Sequence, residues 1–430
     1  MRLGGRLAAA IEVLEDIERR HRPAADALKD WGLSHRFAGA GDRAAIGNIV
    51  YDALRRRRSA GWLLGSDSPR ALAFGALLLE WGETPEAINA ELEGDRFAPP
   101  PLSDEEVTAA TSRRLEEAPS EIRADVPDWC VPLFEASFDG DWAEEGRALA
   151  GRPPLDLRVN GLLSNRDRVL SEIRETGAQP TALAPEGIRI PPIRGNGRHP
   201  NVQAEPAFRK GWFEVQDEGS QLAADLAGAR PGMQVLDFCA GAGGKTLALA
   251  ADMGNRGQIF AYDAEKPRLA PIFDRIRRAG VRDIQVLSRL EQLSDLRERM
   301  DLVLVDAPCT GSGTWRRRPD AKWRLTQKQL DARKAEQAHI LEAAKAFVKP
   351  GGRLVYITCS VFREENQDQI SNFLENNQEF SPVDHGVLFE AAHPGQSDVA
   401  RIQLDRGIVL TPLRTGTDGF YFASLQRAAG

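Results

Sequence analysis

From residue 211 to the C-terminus, short apolar runs alternate with helical segments, and no other feature of the chain narrows its fold so far. Runs at 234–238, 258–262, 283–287, 301–305 and 353–358 are separated by helical stretches such as 266–278 and 327–348. A chain that returns through a helix after each strand builds a mostly parallel sheet with helices on both faces. The fold class expected is α/β. Ligands of such sheets collect at the carboxyl ends of the strands, so the residues that follow each apolar run are the first place to look for chemistry.

Upstream the texture differs. From residue 7 to about 92 the pattern is helical, with Leu7, Ala10, Ile11, Leu14 and Ile17 at three- and four-residue spacing. Further helices are expected at 42–57 and 70–80. The run Arg55-Arg56-Arg57-Arg58 reads equally as a solvated helix end or as a phosphate contact. Pro99, Pro100 and Pro101 make a stiff break. A second helical stretch covers 104–149 and ends at Gly151 and Pro153-Pro154. Residues 155–159 and 187–193 then read as strands around a helix at 167–176, followed by a polar loop at 195–202. The organisation expected is an all-helical domain at 1–140, a small α+β domain at 141–210 and the α/β domain at 211–430.

The segment 235–246, Val-Leu-Asp-Phe-Cys-Ala-Gly-Ala-Gly-Gly-Lys-Thr, is a strand entering a glycine-rich turn and then a helix. Glycines let backbone approach a ligand, and a helix start offers unpaired N–H groups to a carboxylate. The Gly-Gly-Lys-Thr ending invites a phosphate-loop reading. That motif requires glycine five positions before Gly244, where Cys239 stands, which disfavours a nucleotide triphosphatase. Asp263 ends the next strand, about twenty positions on, and suits the two hydroxyls of a ribose. These features serve nicotinamide dinucleotides and S-adenosylmethionine alike, and an ordinary turn aspartate remains the plain alternative.

Two further segments follow strands of the same sheet. One begins Asp306-Ala-Pro-Cys309; the other is Tyr356-Ile-Thr-Cys359-Ser and continues to Asn366. Two unpaired cysteines beside an acid match one particular chemistry. Carbon 5 of cytosine is a poor nucleophile until a thiolate adds at carbon 6 while an acid engages ring nitrogen 3. A base must then remove the carbon 5 proton so that the thiol leaves. Ser360 is expected to cap a helix starting near Phe362, setting Cys359 at its positive end with Arg363 one turn away. Either cysteine alone would read as a space-filler under the sheet edge; both in matching contexts reverse that judgement.

Between the cysteines lie Arg316, Arg317, Arg318, Lys322 and Arg324, interleaved with Trp315 and Trp323 and opposed only by Asp320. Arginines bind phosphates and aromatic rings stack on unpaired bases, which suits single-stranded RNA better than duplex DNA. The formal net charge of −7 argues against nucleic-acid binding through global charge, but a local basic face suffices.

The four cysteines, Cys130, Cys239, Cys309 and Cys359, include no close pair, which fits neither a zinc site nor a disulfide framework. No metal is expected. Glu12 and Glu15 interrupt any signal-peptide core, and no run approaches the ~18 apolar residues of a membrane span. A cytoplasmic monomer is expected.

These residues resemble the RNA (cytosine-5) methyltransferases of the Nop/Sun type, from Leu157 onward. The likeness rests on Leu157-Arg-Val-Asn160, Val215-Gln-Asp-Glu218, the loop Cys239 to Thr246, Asp306-Ala-Pro-Cys309, Thr358-Cys-Ser360 and Thr417-Asp-Gly-Phe420. It implies a Rossmann-like methyltransferase sheet with Cys359 as nucleophile, Cys309 assisting release and Asp306 contacting both base and cofactor. It assigns S-adenosylmethionine to Cys239, Ala240, Gly241, Ala242, Gly243, Gly244, Lys245 and Asp263. The stretch from Gly41 through Trp62-Leu-Leu resembles the NusB-type RNA-binding domain of bacterial small-subunit rRNA methyltransferases of B type, which implies an rRNA substrate, with transfer RNA the other possibility. Three positions depart from the family: Ala242 replaces a proline, no aspartate follows the third strand around 288–290, leaving Glu291 as a weak candidate, and Leu413-Arg414 replaces a histidine. A binding factor without catalysis would have no use for the two thiols. The resemblance also implies that DNA enzymes attack through the Pro-Cys thiol and lack a Thr-Cys-Ser site.

Overall fold

In the computed structural model, residues 1–403 and 405–430 are described, and they divide into two units. One comprises Met1–Pro153, Pro192–His199 and Trp315–Leu325; the other comprises Pro154–Pro191, Pro200–Thr314 and Thr326–Gly430.

The first unit is helical. Leu3–Arg20 turns Leu7, Ala10, Leu14 and Ile17 inward against Ile46, Ile49, Val50 and Ala53 of Ala40–Arg55 and against Leu72 and Phe74 of Pro69–Ala76. The apolar spacing read from the sequence is the face that packs; only Ile11 stays half-buried. Helices continue through Val131–Phe138 and Trp142–Leu149, beyond the boundary expected near residue 140, because Phe134, Phe138 and Leu149 are core residues. Of the arginine run only Arg55 is buried, while Arg56, Arg57 and Arg58 are half-buried, and all four are ion-paired within this unit. Arg55 pairs with Asp52 at 2.8 Å, Arg56 with Glu80 at 2.5 Å, Arg57 with Glu18 at 2.8 Å and Arg58 with Asp128. The first part of the polar loop, residues 195–199, also belongs here, and Asn48 Nδ2 donates to Gly195 O and Gly197 O.

The second unit holds two sheets. β1 (Leu155–Val159), β2 (Gln179–Pro180), β3 (Gly187–Ile190) and β4 (Phe213–Val215) form an antiparallel sheet in the order β2-β3-β1-β4. The larger sheet contains β5 (Gln234–Asp237), β6 (Gln258–Tyr262), β7 (Ile284–Leu287), β8 (Met300–Asp306), β9 (Val348–Thr358), β10 (Phe380–Pro382), β11 (Arg401–Gln403), β12 (Gly407–Leu410) and β13 (Phe420–Arg427). Its order is β11-β12-β13-β9-β8-β5-β6-β7, with β10 on β13. The five strands legible in the sequence, β5 to β9, are the parallel ones; β10 to β13 pair antiparallel. Val235, Leu302, Leu304, Val355 and Ile357 are fully buried, as continuous apolar strands between helices must be.

The motifs around the smaller sheet are structural ties. Asp156 takes both ends of the Arg189 guanidinium at 2.7 Å, and its Oδ2 also accepts the Glu218 N–H. Glu218 Oε1 accepts the N–H groups of Leu183 and Ala184. Asn160 Nδ2 donates to Gly211 O and Ala279 O. Asp217 accepts the N–H of Asp418, which brings the Val-Gln-Asp-Glu and Thr-Asp-Gly-Phe motifs together. No helix among the described residues is long and apolar enough to cross a membrane.

Candidate active site

Register carries the site residues to one edge. Asp237 stands opposite Leu304 on one side and Ala261 on the other, and Asp306 stands opposite Ile357. Strand order reverses at β5, whose neighbours are β6 and β8. That reversal opens the crevice where ligands of doubly wound sheets bind. Asp237, Asp263, Asp306, Cys309 and Cys359 all follow from strand ends on this edge.

The turn between β5 and the helix Gly244–Asp252 is made by left-handed glycines, Gly241 at φ 50° and Gly243 at φ 85°. A Cβ on Gly243 would meet Ile272 Cγ1 at 2.5 Å, whereas at Gly241 nothing lies closer than 3.7 Å. Gly243 is therefore fixed by packing, and Gly241 leaves room beside its backbone for a ligand. Asp263 is braced at both oxygens: Oδ2 accepts the Gly241 N–H at 2.9 Å and Oδ1 accepts the Glu265 N–H at 2.9 Å. Arg268 Nη1 stands 3.7 Å from Oδ2, so Oδ1 is the oxygen that keeps a second acceptor position for a ribose hydroxyl. Thr246 Oγ1 donates to Asp237 Oδ2 at 2.7 Å, while buried Asp237 Oδ1 has no partner among the described residues. Burial pushes the Asp237 carboxyl up to about 7, and burial also raises the Cys239 thiol well above its ordinary value. Gap, braced carboxylate and helix start fit S-adenosylmethionine.

Lys245 reaches from the helix start to Asp306, Nζ to Oδ2 at 2.7 Å, and lies 5.2 Å from the Phe420 ring centre. Lys245 is buried, but Asp306 is about a third exposed, 35%, so the acid is fixed in direction and still open to a base. Beyond it, the Sγ atoms of Cys309 and Cys359 are 3.4 Å apart. The hydrogen bond with Cys359 and then burial hold the Cys309 thiol well above its ordinary value, so Cys309 keeps its proton.

The expected helix cap is corrected here. Ser360 Oγ does accept the Phe362 N–H at 3.1 Å, but only a single turn follows at Arg363–Glu365 and the α-helix starts at Gln367. Ser360 is instead one donor to Glu365, a fully buried carboxylate with no role in the sequence reading. Glu365 lies in the quoted segment, six positions after Cys359. An acid so close to a nucleophile was the available signal.

The basic loop also needs correcting. Trp315 and Arg316 are buried, and Trp315 packs against Phe134 with ring centres 5.9 Å apart. Lys322 is buried as well; its Nζ donates to Arg55 O at 3.2 Å and sits 4.8 Å from the Trp323 ring. Trp323 Nε1 donates to Leu54 O, and Arg324 pairs with Asp320 at 2.7 Å. Lys322 and Arg316 are thus interior side chains of the helical unit, held there by the burial of Trp315 and by the Trp323 Nε1 bond to Leu54 O. Arg318 is exposed, and Arg317 and Arg324 are half-buried.

Fold and site together define an S-adenosylmethionine-dependent methyltransferase. Residues 226–426 match the family described as 16S rRNA methyltransferase RsmB/F, and residues 126–192 match the ferredoxin-like domain of RsmF/B-like methyltransferases. A probable ribosomal RNA small subunit methyltransferase B from Synechocystis is 32% identical over 70% of this chain and 67% of its own. Ribosomal RNA small subunit methyltransferase B from Salmonella heidelberg is 32% identical over 72% of this chain and 68% of its own. The crystal structure of PH0851 superposes with a TM-score of 0.72 at 26% identity, covering 99% of this chain and 100% of that one. NSun6 from Pyrococcus horikoshii shares the fold, with a TM-score of 0.60 at 21% identity over 71% of this chain and 98% of that one. The chain belongs to the RsmB/F family of methyltransferases.

Proposed function

We propose that this protein methylates carbon 5 of a cytosine in small-subunit rRNA through a covalent adduct on Cys359. The observation that carries this reading is the pair of thiols 3.4 Å apart, at the ends of adjacent strands, beside an acid held by a lysine. S-adenosylmethionine, held by the Cys239 to Lys245 loop and Asp263, supplies an electrophilic methyl group. Cys359, as the thiolate, adds to carbon 6 and enriches carbon 5 with electrons, and carbon 5 takes the methyl group as the methyl–sulfonium bond breaks and S-adenosylhomocysteine leaves. Asp306, oriented by Lys245, engages ring nitrogen 3. Cys309 then takes the carbon 5 proton, and the Cys359–carbon 6 bond breaks to restore the ring. What chiefly makes Cys309 retain its proton is its hydrogen bond with Cys359. Once that sulfur is bonded to carbon it carries no charge, so Cys309 gives its proton to solvent more readily and, as the thiolate, can take the carbon 5 proton. In this reading one thiol attacks, and its neighbour becomes a usable base only after the attack.

RNA contact is assigned to Arg317, Arg318 and Arg324, and recognition of the correct target to the helical unit. The protein acts as a monomer in the cytoplasm. Purified protein, methyl-labelled S-adenosylmethionine and unmodified small-subunit rRNA test the reading. It expects label on carbon 5 of one cytosine. Label on another atom, or efficient labelling of transfer RNA alone, would overturn it.

A further inference from the structure

We infer that Glu365 is a positioning residue whose carboxylate ties the Cys309 loop to the Cys359 loop and so governs adduct release; this rests on the covalent reading above. Glu365 is fully buried and its four partners are all neutral donors. Oε1 accepts the Thr310 N–H at 2.9 Å and Gln337 Nε2 at 2.9 Å. Oε2 accepts the Thr310 hydroxyl at 2.5 Å and the Ser360 hydroxyl at 2.5 Å. Those four bonds use the acceptor capacity of a carboxylate. Its backbone is held as well, since the Tyr356 hydroxyl donates to Glu365 O at 2.7 Å.

A buried carboxylate without a cation is costly, and a neutral residue would fill the same space more cheaply. What the charge adds is direction. Thr310 is the neighbour of Cys309 and Ser360 is the neighbour of Cys359, so one rigid group spans the two thiol-bearing loops.

The tie is unequal. The Cys359 loop has anchors of its own: Asn366 Nδ2 donates to Ser360 O at 2.9 Å, and the Ser360 N–H donates to Thr358 Oγ1 at 3.2 Å. Further along, the loops also meet directly, where the Gly313 N–H donates to Cys359 O and the Val361 N–H to Ser312 Oγ, both at 2.9 Å. Thr310 is held to Glu365 through both its N–H and its hydroxyl. Loosening Glu365 therefore displaces Cys309 more than Cys359. Attack survives and release suffers. None of the four partners belongs to the cofactor loop, so cofactor affinity is untouched.

Glu365→Gln isolates the effect. An amide NH₂ in place of Oε1 would face two N–H donors, so it settles in place of Oε2, where the hydroxyls rotate to accept it. The loop stays folded but less firmly aimed. The experiment compares single-turnover methyl transfer, multiple turnover and denaturation-resistant protein–RNA adduct in Glu365→Gln, Thr310→Val and Cys309→Ala, with calorimetric S-adenosylmethionine affinity as the check on folding. In Glu365→Gln, multiple turnover should fall by about 10- to 100-fold, the cost of a small misplacement of a reacting group. Single-turnover transfer should stay within about threefold of native on the same scale, with adduct accumulating as in Cys309→Ala. Thr310→Val should lie between. Native turnover in Glu365→Gln, or both steps slowed alike without adduct, overturns the inference. Adduct in Cys309→Ala but not in Glu365→Gln defeats this inference alone; adduct in neither removes the covalent reading and this inference with it.

Discussion

Cys309 Sγ lies 3.4 Å from Cys359 Sγ, and the proton that Cys309 retains is held there first by that neighbour. In the proposed mechanism the two thiols are ordered in time by this contact. The decay of the RNA adduct should quicken as pH rises above neutrality, because the base form of Cys309 grows. Rapid-quench measurement of adduct decay from pH 6.5 to 9 tests this, with Cys309→Ala as the reference. A decay rate independent of pH in the native protein would contradict it.

Gly243→Ala should weaken S-adenosylmethionine binding by at least about tenfold, because a misplaced loop loses its aim at the ligand. The residue sits at φ 85°, and its new Cβ would press on Ile272 Cγ1 at 2.5 Å. Left-handed backbone also disfavours any side chain. Calorimetric titration checks the affinity; a native value would show that the turn is not what holds the cofactor.

Lys322 gives a stability signature with a definite sign. Burial pulls its ammonium down to about 7, below the ~10.4 of an unfolded lysine. Between those values the unfolded chain binds more protons, so Lys322 makes stability rise from about pH 7 to about pH 10. Lys322→Met should remove that rise and leave the protein at least as stable at pH 7. Differential scanning calorimetry of both proteins from pH 6 to 10 reads the difference. Parallel pH curves would contradict the assignment.

The same loop separates interior from surface cations. Arg318→Ala should weaken RNA binding and reduce the slope of log affinity against log salt by about one. Lys322→Met should leave the slope unchanged, since Lys322 is buried on the Arg55 carbonyl. Filter binding across a salt series checks both, and an equal loss of slope in the two variants would refute the distinction.

The parallel sheet was legible because buried strands read as unbroken apolar runs, and Asp237, Asp263, Asp306 and both thiols were legible because strand ends share one edge. The antiparallel strands β10 to β13 were not read. Phe380–Pro382 and Arg401–Gln403 are three residues each, too short for an alternation to show. The basic loop misled because its composition is that of a nucleic-acid contact, while its burial is decided by Phe134, Leu54 and Arg55, far away in the chain. Glu365 escaped notice for the same reason. Its meaning comes from Thr310 and Gln337, which no local pattern brings beside it.

Trapping the adduct tests the central claim most directly. Cys359→Ala and Cys309→Ala proteins are each incubated with S-adenosylmethionine and small-subunit rRNA, then run on a denaturing gel. The account predicts a retarded protein–RNA species from Cys309→Ala, which attacks and stalls, and none from Cys359→Ala, which never attacks. A retarded species from Cys359→Ala alone would reverse the two roles, and full turnover by both variants would contradict the covalent mechanism outright.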